Sequence, residues 1–308
     1  MFPDQITPSG RIVESHLDEC LEKVQGQFRS EALAFFGPLY YGAEDNIRDA
    51  VEFSQGALKG KKAPGIVRRP KLSVILETPG GYIQVAERIA NVLHKHFDFV
   101  EFIVPDYAMS AGTVLVMSGN DIWMDYFSIL GPIDPQIEIA ERKFGPAHGY
   151  LIQYQRLIDK SRRGKITTAE LQFLIEKFNP AELHQYEQEM QLSVTLLKEW
   201  LVHYKFKGWN TTEASGKTVT DRMKRKRAEE IAQHLNDTKR WHSHSRGISM
   251  EVLRRDVKLK INDFGEKDCV SNCIRVYHKL MRDYLGKLGT PGAVHVMGNF
   301  SPMIPYRR

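Results

Sequence analysis

The sequence predicts an α/β fold with a mostly parallel sheet, followed by a C-terminal half that is mainly helical. An apolar, partly β-branched strand at Leu72–Leu76 is followed by an amphipathic helix at Ile83–His96. A second strand at Val100–Val104 is followed by a helix that begins near Ser110. Strands and helices that alternate at this spacing favour right-handed crossovers between parallel strands.

Further elements extend this pattern on both sides. Before the first unit, the sequence predicts a helix near Ile12–Phe28, a strand near Glu31–Phe36 and a helix near Glu44–Phe53. After the second unit comes a short apolar strand at Asp121–Met124. Beyond about residue 150 long helices dominate, and they are predicted at Pro180–Tyr204, Val219–Leu235, Ser249–Ile261 and Cys269–Leu285.

The composition excludes several classes of protein. The 308 residues are 42% apolar and 26% charged, without a run of about 18 apolar residues or an apolar N-terminal leader, so we expect a globular, cytoplasmic protein without direct membrane insertion. Three cysteines cannot form a disulfide framework. The net charge of +5 peaks in segments 56–71 and 221–230. No aromatic residues interleave with these charges, so we expect no nucleic-acid partner.

The turn between the first strand and its helix has the sequence ETPGGY, residues 77–82. Gly80 and Gly81 lack a Cβ atom, so their backbone can adopt unusual φ and ψ angles and bring N–H groups close to a ligand. Such a turn suits either a phosphate or the oxyanion that develops during acyl transfer. The Lys-Ser/Thr pair of a phosphate-binding P-loop does not follow these glycines, which makes the phosphate alternative the weaker one.

The second turn, PDYAMSAGT, contains a serine just after a strand. Ser110 is followed by the small residues Ala111 and Gly112 and then by an apolar helix. A serine at this position can simply cap the helix. It can also be a nucleophile, with the N–H group of the next residue as an oxyanion donor. Because the carboxyl ends of adjacent parallel strands meet at one edge of a sheet, we expect this turn to lie beside Gly80 and Gly81.

Together these segments resemble the Clp-fold serine peptidases, whose architecture is shared with the crotonase superfamily. TPGG follows one strand, MSAGT follows the next about 30 residues later, and GNDIWMDYFSILGPIDPQ occupies residues 119–136. In this order, the three segments are similar to the serine dehydrogenase proteinase family, a prokaryotic group related to signal peptide peptidase A. The resemblance implies a Clp/crotonase-like fold of repeated β-β-α units, a serine endopeptidase activity and assembly into homo-oligomers.

The resemblance also implies roles for the residues of both turns. Ser110 becomes the nucleophile, and the backbone N–H groups of Gly81 and Ala111 become the oxyanion hole for a peptide or protein substrate. Gly80 and Asp134 are the implied substrate-binding residues. Asp134 lies at a proline-flanked turn, where it can bind a substrate amine, orient the base or cap the turn.

The general base is less clearly marked by the sequence. Clp proteases place a histidine about 25 residues after the serine, where this chain has Ile133-Asp134-Pro135, so a Ser-His-Asp triad is disfavoured. Signal peptide peptidase A and its relatives use a lysine about 40–55 residues after the serine. A lysine serves as a base only when burial lowers its pKa enough to leave it neutral.

Four residues are candidates for this base. Lys160, about 50 residues after Ser110, is the first candidate, and Lys143 and Lys165 compete with it. Each of these lysines can equally be an ordinary solvated side chain. His244, in the segment RWHSHSRGIS, is a further alternative. Since His242 and His244 have no partner at a metal-ligand spacing, we expect neither a metal nor a cofactor.

Two other functions stay open at this point. A crotonase-type acyl-CoA enzyme uses the same paired N–H groups without a serine nucleophile, and a non-catalytic Clp-fold scaffold needs neither. We expect three segments along the chain: residues 1–70 with N-terminal helices, the first strand and a basic loop, residues 71–205 with the catalytic core, and residues 206–308 with a helical extension.

Overall fold

The structure is a computed structural model that describes residues 7–59, 71–133, 136–140, 143–213, 215–241 and 246–303. Its helices are α1 (Pro8–Phe28), α2 (Ala43–Lys59), α3 (Ile83–His96), α4 (Ala111–Val116), α5 (Ala147–Arg162), α6 (Thr168–Lys177), α7 (Pro180–Trp200), α8 (Asp221–Asn236), α9 (Thr238–Trp241), α10 (Met250–Arg255) and α11 (Asp268–Leu288). Its strands are β1 (Glu31–Phe36), β2 (Lys71–Glu77), β3 (Phe99–Ile103), β4 (Tyr107–Ala108), β5 (Asp121–Met124), β6 (Ile129–Leu130), β7 (Gln136–Ala140), β8 (Lys143–Pro146), β9 (Ile248–Ser249), β10 (Asn262–Asp263), β11 (Ala293–Val296) and β12 (Asn299–Pro302).

The main sheet has seven strands in the order β10, β5, β3, β2, β1, β11, β12. The five strands from β10 to β1 run parallel to one another, whereas β11 is antiparallel to both β1 and β12. A smaller sheet contains β4, β6 and β9, and β7 pairs with β8. These observations confirm the predicted α/β fold with a mostly parallel sheet.

Helices cover both faces of the main sheet. Along β2, Val74 and Leu76 enter a core that also contains α2, α3 and α4, whereas Ile75 enters a core built with α1 and α11. Side chains alternate between the faces of a strand, so these two cores require consecutive apolar residues, which β2 provides at Val74, Ile75 and Leu76. Among the described residues, no helix is both long enough and apolar enough to cross a lipid bilayer.

The predicted helix at Ser249–Ile261 is wrong beyond Arg255, where α10 ends. Asp256 is the C-cap of this helix, with its N–H bonded to the Val252 carbonyl, and two residues later Lys258 takes a left-handed φ of 51°. Val257, Leu259 and Ile261 are buried, while the lysines between them are exposed. This alternation of period two is typical of an extended segment rather than a helix. It leads into β10, which pairs with β5.

All three predicted segments contribute to the main sheet. Strand β1 comes from residues 1–70, strands β2, β3 and β5 from residues 71–205, and strands β10, β11 and β12 from residues 206–308. The sequence did not predict the two strands after α11. The division into three segments stays a proposal.

Candidate active site

The two predicted turns lie side by side at the carboxyl ends of β2 and β3. Just beyond these strands, Thr78 pairs with Ala108 in an isolated parallel bridge. The Thr78 N–H donates to the Tyr107 carbonyl at 3.1 Å, and the Met109 N–H donates to the Thr78 carbonyl at 3.0 Å. These backbone bonds hold the Gly-Gly turn against the serine turn.

Leu39 anchors the Gly-Gly turn on its other side. The Leu39 N–H donates to the Gly80 carbonyl at 2.8 Å, and the Tyr82 N–H donates to the Leu39 carbonyl at 2.9 Å. Leu39 and Gly81 thus form an isolated parallel bridge, whose hydrogen bonds use the residues before and after Gly81 rather than Gly81 itself. In a parallel bridge of this kind, the skipped residue points its own N–H and C=O groups to the opposite edge. The Gly81 N–H group therefore faces away from Leu39.

Both positions in this turn require glycine. The φ angles are 94° at Gly80 and 148° at Gly81, values that L side chains rarely adopt. A Cβ atom on Gly80 would lie 2.6 Å from the Met109 carbonyl oxygen and 2.9 Å from the Cβ atom of Ser110. A Cβ atom on Gly81 would overlap the backbone of Leu39. The close approach of the two turns thus depends on the missing side chains.

Ser110 occupies the N-cap position of α4 but does not cap it. Its side chain accepts no hydrogen bond from the first turn of the helix. Its φ and ψ angles of 53° and −121° differ from the extended conformation that capping residues normally adopt. A non-glycine residue in such a region costs about 1–3 kcal/mol and is typical of functional sites. The capping alternative therefore does not explain this serine, which is half-buried.

Two backbone N–H groups beside Ser110 have no hydrogen-bond partner among the described residues. The Ala111 N–H belongs to the first residue of α4, where the helix offers no acceptor. Neither this group nor the Gly81 N–H donates to another residue in the part of the chain that the structure describes. A Cβ atom on Gly80 would lie 3.4 Å from the Ala111 nitrogen, so the turns approach each other at this point.

Thr113 fixes the serine turn from inside the protein. Its Oγ1 atom is fully buried, lies 2.8 Å from the Ala108 carbonyl oxygen and 2.9 Å from the Gly131 carbonyl oxygen, and accepts a bond from the Gly131 N–H at 2.9 Å. The start of the GPIDPQ segment is therefore bonded to the helix that follows Ser110. This network gives the serine turn little freedom to move.

Lys160 lies in α5, where it forms an ion pair with Glu170 of α6. The Lys160 side chain is 39% exposed, and its hydrogen bond to Glu170 is the main cause that lowers the pKa of that carboxyl group. Lys165 is exposed in the connection between the two helices. Neither lysine is hydrogen-bonded to Ser110 within the described ranges.

The remaining predicted site residues are Lys143, Asp134 and His244. Lys143 begins β8, and the contacts of its side chain lie outside what the structure describes. Asp134 and His244 both fall outside the described residues.

Burial lowers the pKa of Lys205, a lysine that the sequence did not single out, but this side chain pairs with Asp121 at the amino end of β5. It therefore lies at the sheet edge opposite to the two turns.

An ionic cluster that the sequence did not predict lies at the carboxyl ends of the strands, the edge of the sheet that carries the two turns, on the face covered by α11. His278 bonds to Glu77, and Arg282 bonds to Asp106 at 2.6 Å. Burial, followed by the charge of Glu77, raises the pKa of Asp106. Glu77, Asp106 and His278 bring their ligand atoms within 4.8 Å of one another, a set that could hold a divalent cation. Arg282 instead contributes a positive charge to both carboxylates.

No sequence signal was available for this cluster, because 201 residues separate Glu77 from His278. The one local hint is a glutamate that ends a buried, apolar strand. Burial of a carboxylate without a partner is costly, so a glutamate at this position indicates that it has a partner, but not which residue that partner is.

Comparisons with known proteins relate part of this chain to a family of peptidases. Residues 27–147 match the family of ClpP-like SDH-type serine proteinases. Two proteins of Methanocaldococcus jannaschii are similar to this chain: Uncharacterized protein MJ0137 is 34% identical over 110 residues, which cover 35% of this chain and 36% of the relative. Uncharacterized protein MJ1495 is 35% identical over 111 residues, which cover 35% of each chain. This chain thus spans about a third of the length of these curated relatives.

The matched segment includes both turns, the bridge to Leu39 and the whole of α4. It begins earlier than the motifs that suggested the resemblance, since it also contains β1 and α2. Residues 27–147 of this chain are therefore similar to the ClpP-like SDH-type serine proteinases over the part of the fold that contains both turns.

Proposed function

We propose that this chain is a serine endopeptidase that hydrolyses peptide bonds through an acyl intermediate on Ser110. One observation carries the proposal: a strained, non-capping serine lies against Gly80, beside two backbone N–H groups without another described partner. Strain of this kind persists where function requires it. The match of residues 27–147 to the model of a serine proteinase family supports the same reaction.

The proposed reaction begins when the Ser110 Oγ atom attacks the carbon of a peptide carbonyl and passes its proton to a general base. The carbonyl oxygen gains negative charge, which the N–H groups of Gly81 and Ala111 stabilise, each by about 3 kcal/mol. The tetrahedral intermediate then expels the amine, which takes a proton, and leaves an ester on Oγ. Water hydrolyses this ester and regenerates Ser110.

We propose a lysine as the general base, with Lys160 as the first candidate from its spacing. In the structure Lys160 is paired with Glu170 of α6, so this side chain has to leave Glu170 before it can bond to Ser110. Lys143 lies within the segment that matches the family, and Lys165 and His244 lie beyond it. These three residues are the remaining candidates.

The rate of labelling by a fluorophosphonate identifies the base. We expect Lys160→Ala to lower the labelling rate at pH 7 by about 10²–10⁴-fold, the usual contribution of a general base. Glu170→Gln weakens the ion pair that holds Lys160 against α6, so it should raise that rate. The matched variants are Lys143→Ala, Lys165→Ala and His244→Ala. If Lys160→Ala reacts like the unmodified protein, Lys160 is excluded, and the variant that loses the rate identifies the base.

The wider properties of the peptidase are proposed on the resemblance. We expect a peptide or protein substrate, a homo-oligomer and a cytoplasmic location, with no metal or cofactor required for the reaction. Gly80 and Asp134 are proposed to contact the substrate, since Gly80 packs on the Cβ side of Ser110 and Asp134 follows the GPI segment that is bonded to Thr113.

The proposed function is tested by reaction with a fluorophosphonate followed by peptide mapping. We expect one adduct, on the proteolytic peptide that contains Ser110, together with hydrolysis of an unfolded protein substrate that the adduct abolishes. A label on a different residue, or hydrolysis that survives complete labelling of Ser110, would contradict the proposal.

A further inference from the structure

We propose that Tyr40, Tyr41 and Tyr82 form a subsite that binds an aromatic or large aliphatic side chain of the peptide substrate. These three residues are called the tyrosine patch below. The inference rests on the proposed function, because it requires a substrate carbonyl beside Ser110. It adds the class of side chain that the peptidase prefers.

The tyrosine patch is exposed and prearranged. The three residues are 49%, 50% and 41% exposed in chain order. The rings of Tyr41 and Tyr82 stack with centroids 4.7 Å apart and an interplanar angle of 24°, and the Tyr40 ring lies 6.0 Å from that of Tyr82. Because the rings already support one another, a ligand that packs on them orders few additional side chains.

The position of the patch connects it to the proposed oxyanion hole. Tyr82 directly follows Gly81, and Tyr40 and Tyr41 directly follow Leu39. The backbone bonds between Leu39, Gly80 and Tyr82 fix both parts of the patch to the Gly-Gly turn. Under the proposed function, a peptide carbonyl binds at the Gly81 N–H, next to Tyr82, and we assign the patch to a neighbouring side chain of that peptide.

The chemistry of the patch selects the occupant. Tyrosine offers a large, rigid ring face at a low cost in side-chain entropy, and aromatic pairs prefer stacked or edge-to-face contacts. Exposed aromatic side chains that cluster on a protein surface are characteristic of binding surfaces. Since the patch is continuous with the turn that holds the attacked carbonyl, we assign it to the substrate rather than to a second copy of this chain.

The test uses quenched fluorescent peptides that differ in one residue, with Phe, Leu or Ala at each of the two positions on either side of the cleaved bond. We expect kcat/KM to be at least about tenfold higher for Phe than for Ala at one of these positions. Tyr41→Ala and Tyr82→Ala should each reduce this ratio to below about two, through a higher KM for the Phe peptide. Tyr41→Phe and Tyr82→Phe should keep the ratio, because the ring is retained.

Phe53→Ala is the matched control, since Phe53 is a 48% exposed aromatic residue in α2 that is outside the patch. This variant should keep the ratio of the unmodified protein. Equal kcat/KM values for Phe and Ala peptides, or an unchanged ratio in both tyrosine-to-alanine variants, would overturn the inference. The inference would also be overturned if Tyr41→Ala and Tyr82→Ala keep the ratio of kcat/KM values but change the molar mass measured by light scattering. That result would assign the patch to contact between copies of this chain. Absence of fluorophosphonate labelling at Ser110 would instead refute the proposed function.

Discussion

Replacing Ser110 by alanine is expected to abolish both peptide hydrolysis and fluorophosphonate labelling while the free energy of unfolding hardly changes. The activity should fall by about 10⁴-fold or more, as it does when other serine peptidases lose their nucleophile. Stability should be retained because the Ser110 side chain makes no capping bond to α4. Hydrolysis is measured with a peptide substrate, and stability is measured by urea denaturation.

A second substitution at the same position separates strain from chemistry. Ser110→Gly should also be inactive, but we expect it to unfold with a free energy about 1 kcal/mol higher than that of the unmodified protein. Glycine adopts a φ of 53° without the strain that serine carries there, which outweighs the greater freedom of glycine in the unfolded chain. Such an opposition between activity and stability is expected at a functional site.

Ser249→Ala is the matched control for these variants. Ser249 is also an N-cap serine, and its side chain accepts a bond from the Val252 N–H at 3.5 Å. Its loss should lower stability by up to about 1 kcal/mol and leave labelling unchanged. Labelling that persists in Ser110→Ala, or a stability loss there as large as in Ser249→Ala, would contradict the assignment of Ser110.

Replacing Gly80 by alanine is the second change with a large expected effect. The added Cβ atom would lie 2.6 Å from the Met109 carbonyl oxygen and 2.9 Å from the Cβ atom of Ser110, so the two turns have to separate. We expect the labelling rate to fall by about 10²–10³-fold, the effect of losing one oxyanion donor. The free energy of unfolding should fall by about 1–3 kcal/mol, because alanine does not tolerate a φ of 94°.

Gly26→Ala is the control for this glycine. Gly26 lies within α1, is exposed, and has no other atom within 4 Å of the position where a Cβ atom would be added. Alanine there should raise stability by about 0.5–1 kcal/mol and leave the labelling rate unchanged. If Gly80→Ala is labelled as fast as Gly26→Ala, the approach of the two turns has no role in the reaction.

Local patterns in the sequence were sufficient for much of the fold. The helix at Ile83–His96 and the strand at Asp121–Met124 have the predicted bounds, because each is bordered by residues that end a regular element and each has a clear period. Strand β11 was missed, since four residues, Ala293–Val296, become a strand through pairing with β1 at the other end of the chain. Propensity alone does not reveal such a partner.

In the candidate site, too, local signals could be predicted and contacts between distant residues could not. The Gly-Gly and serine turns are local signals, and the parallel order of β2 and β3 brings them together as expected. The anchoring role of Leu39, the tyrosine patch and the pairing of Glu77 with His278 depend on contacts between distant parts of the chain. A lysine base was inferred from the resemblance and Lys160 was selected by its spacing from Ser110, and neither reports the ion pair that Lys160 forms with Glu170.

The central claim is that Ser110, Gly81 and Ala111 meet at one substrate carbonyl group, with the Ser110 hydroxyl at its carbon and the two backbone N–H groups at its oxygen. A crystal structure of the protein after reaction with a fluorophosphonate measures this arrangement directly. We predict a covalent bond from the Ser110 Oγ atom to phosphorus and a phosphoryl oxygen about 2.7–3.1 Å from both backbone nitrogens. An adduct on another residue, or a phosphoryl oxygen on Ser110 that bonds to neither nitrogen, would contradict the account.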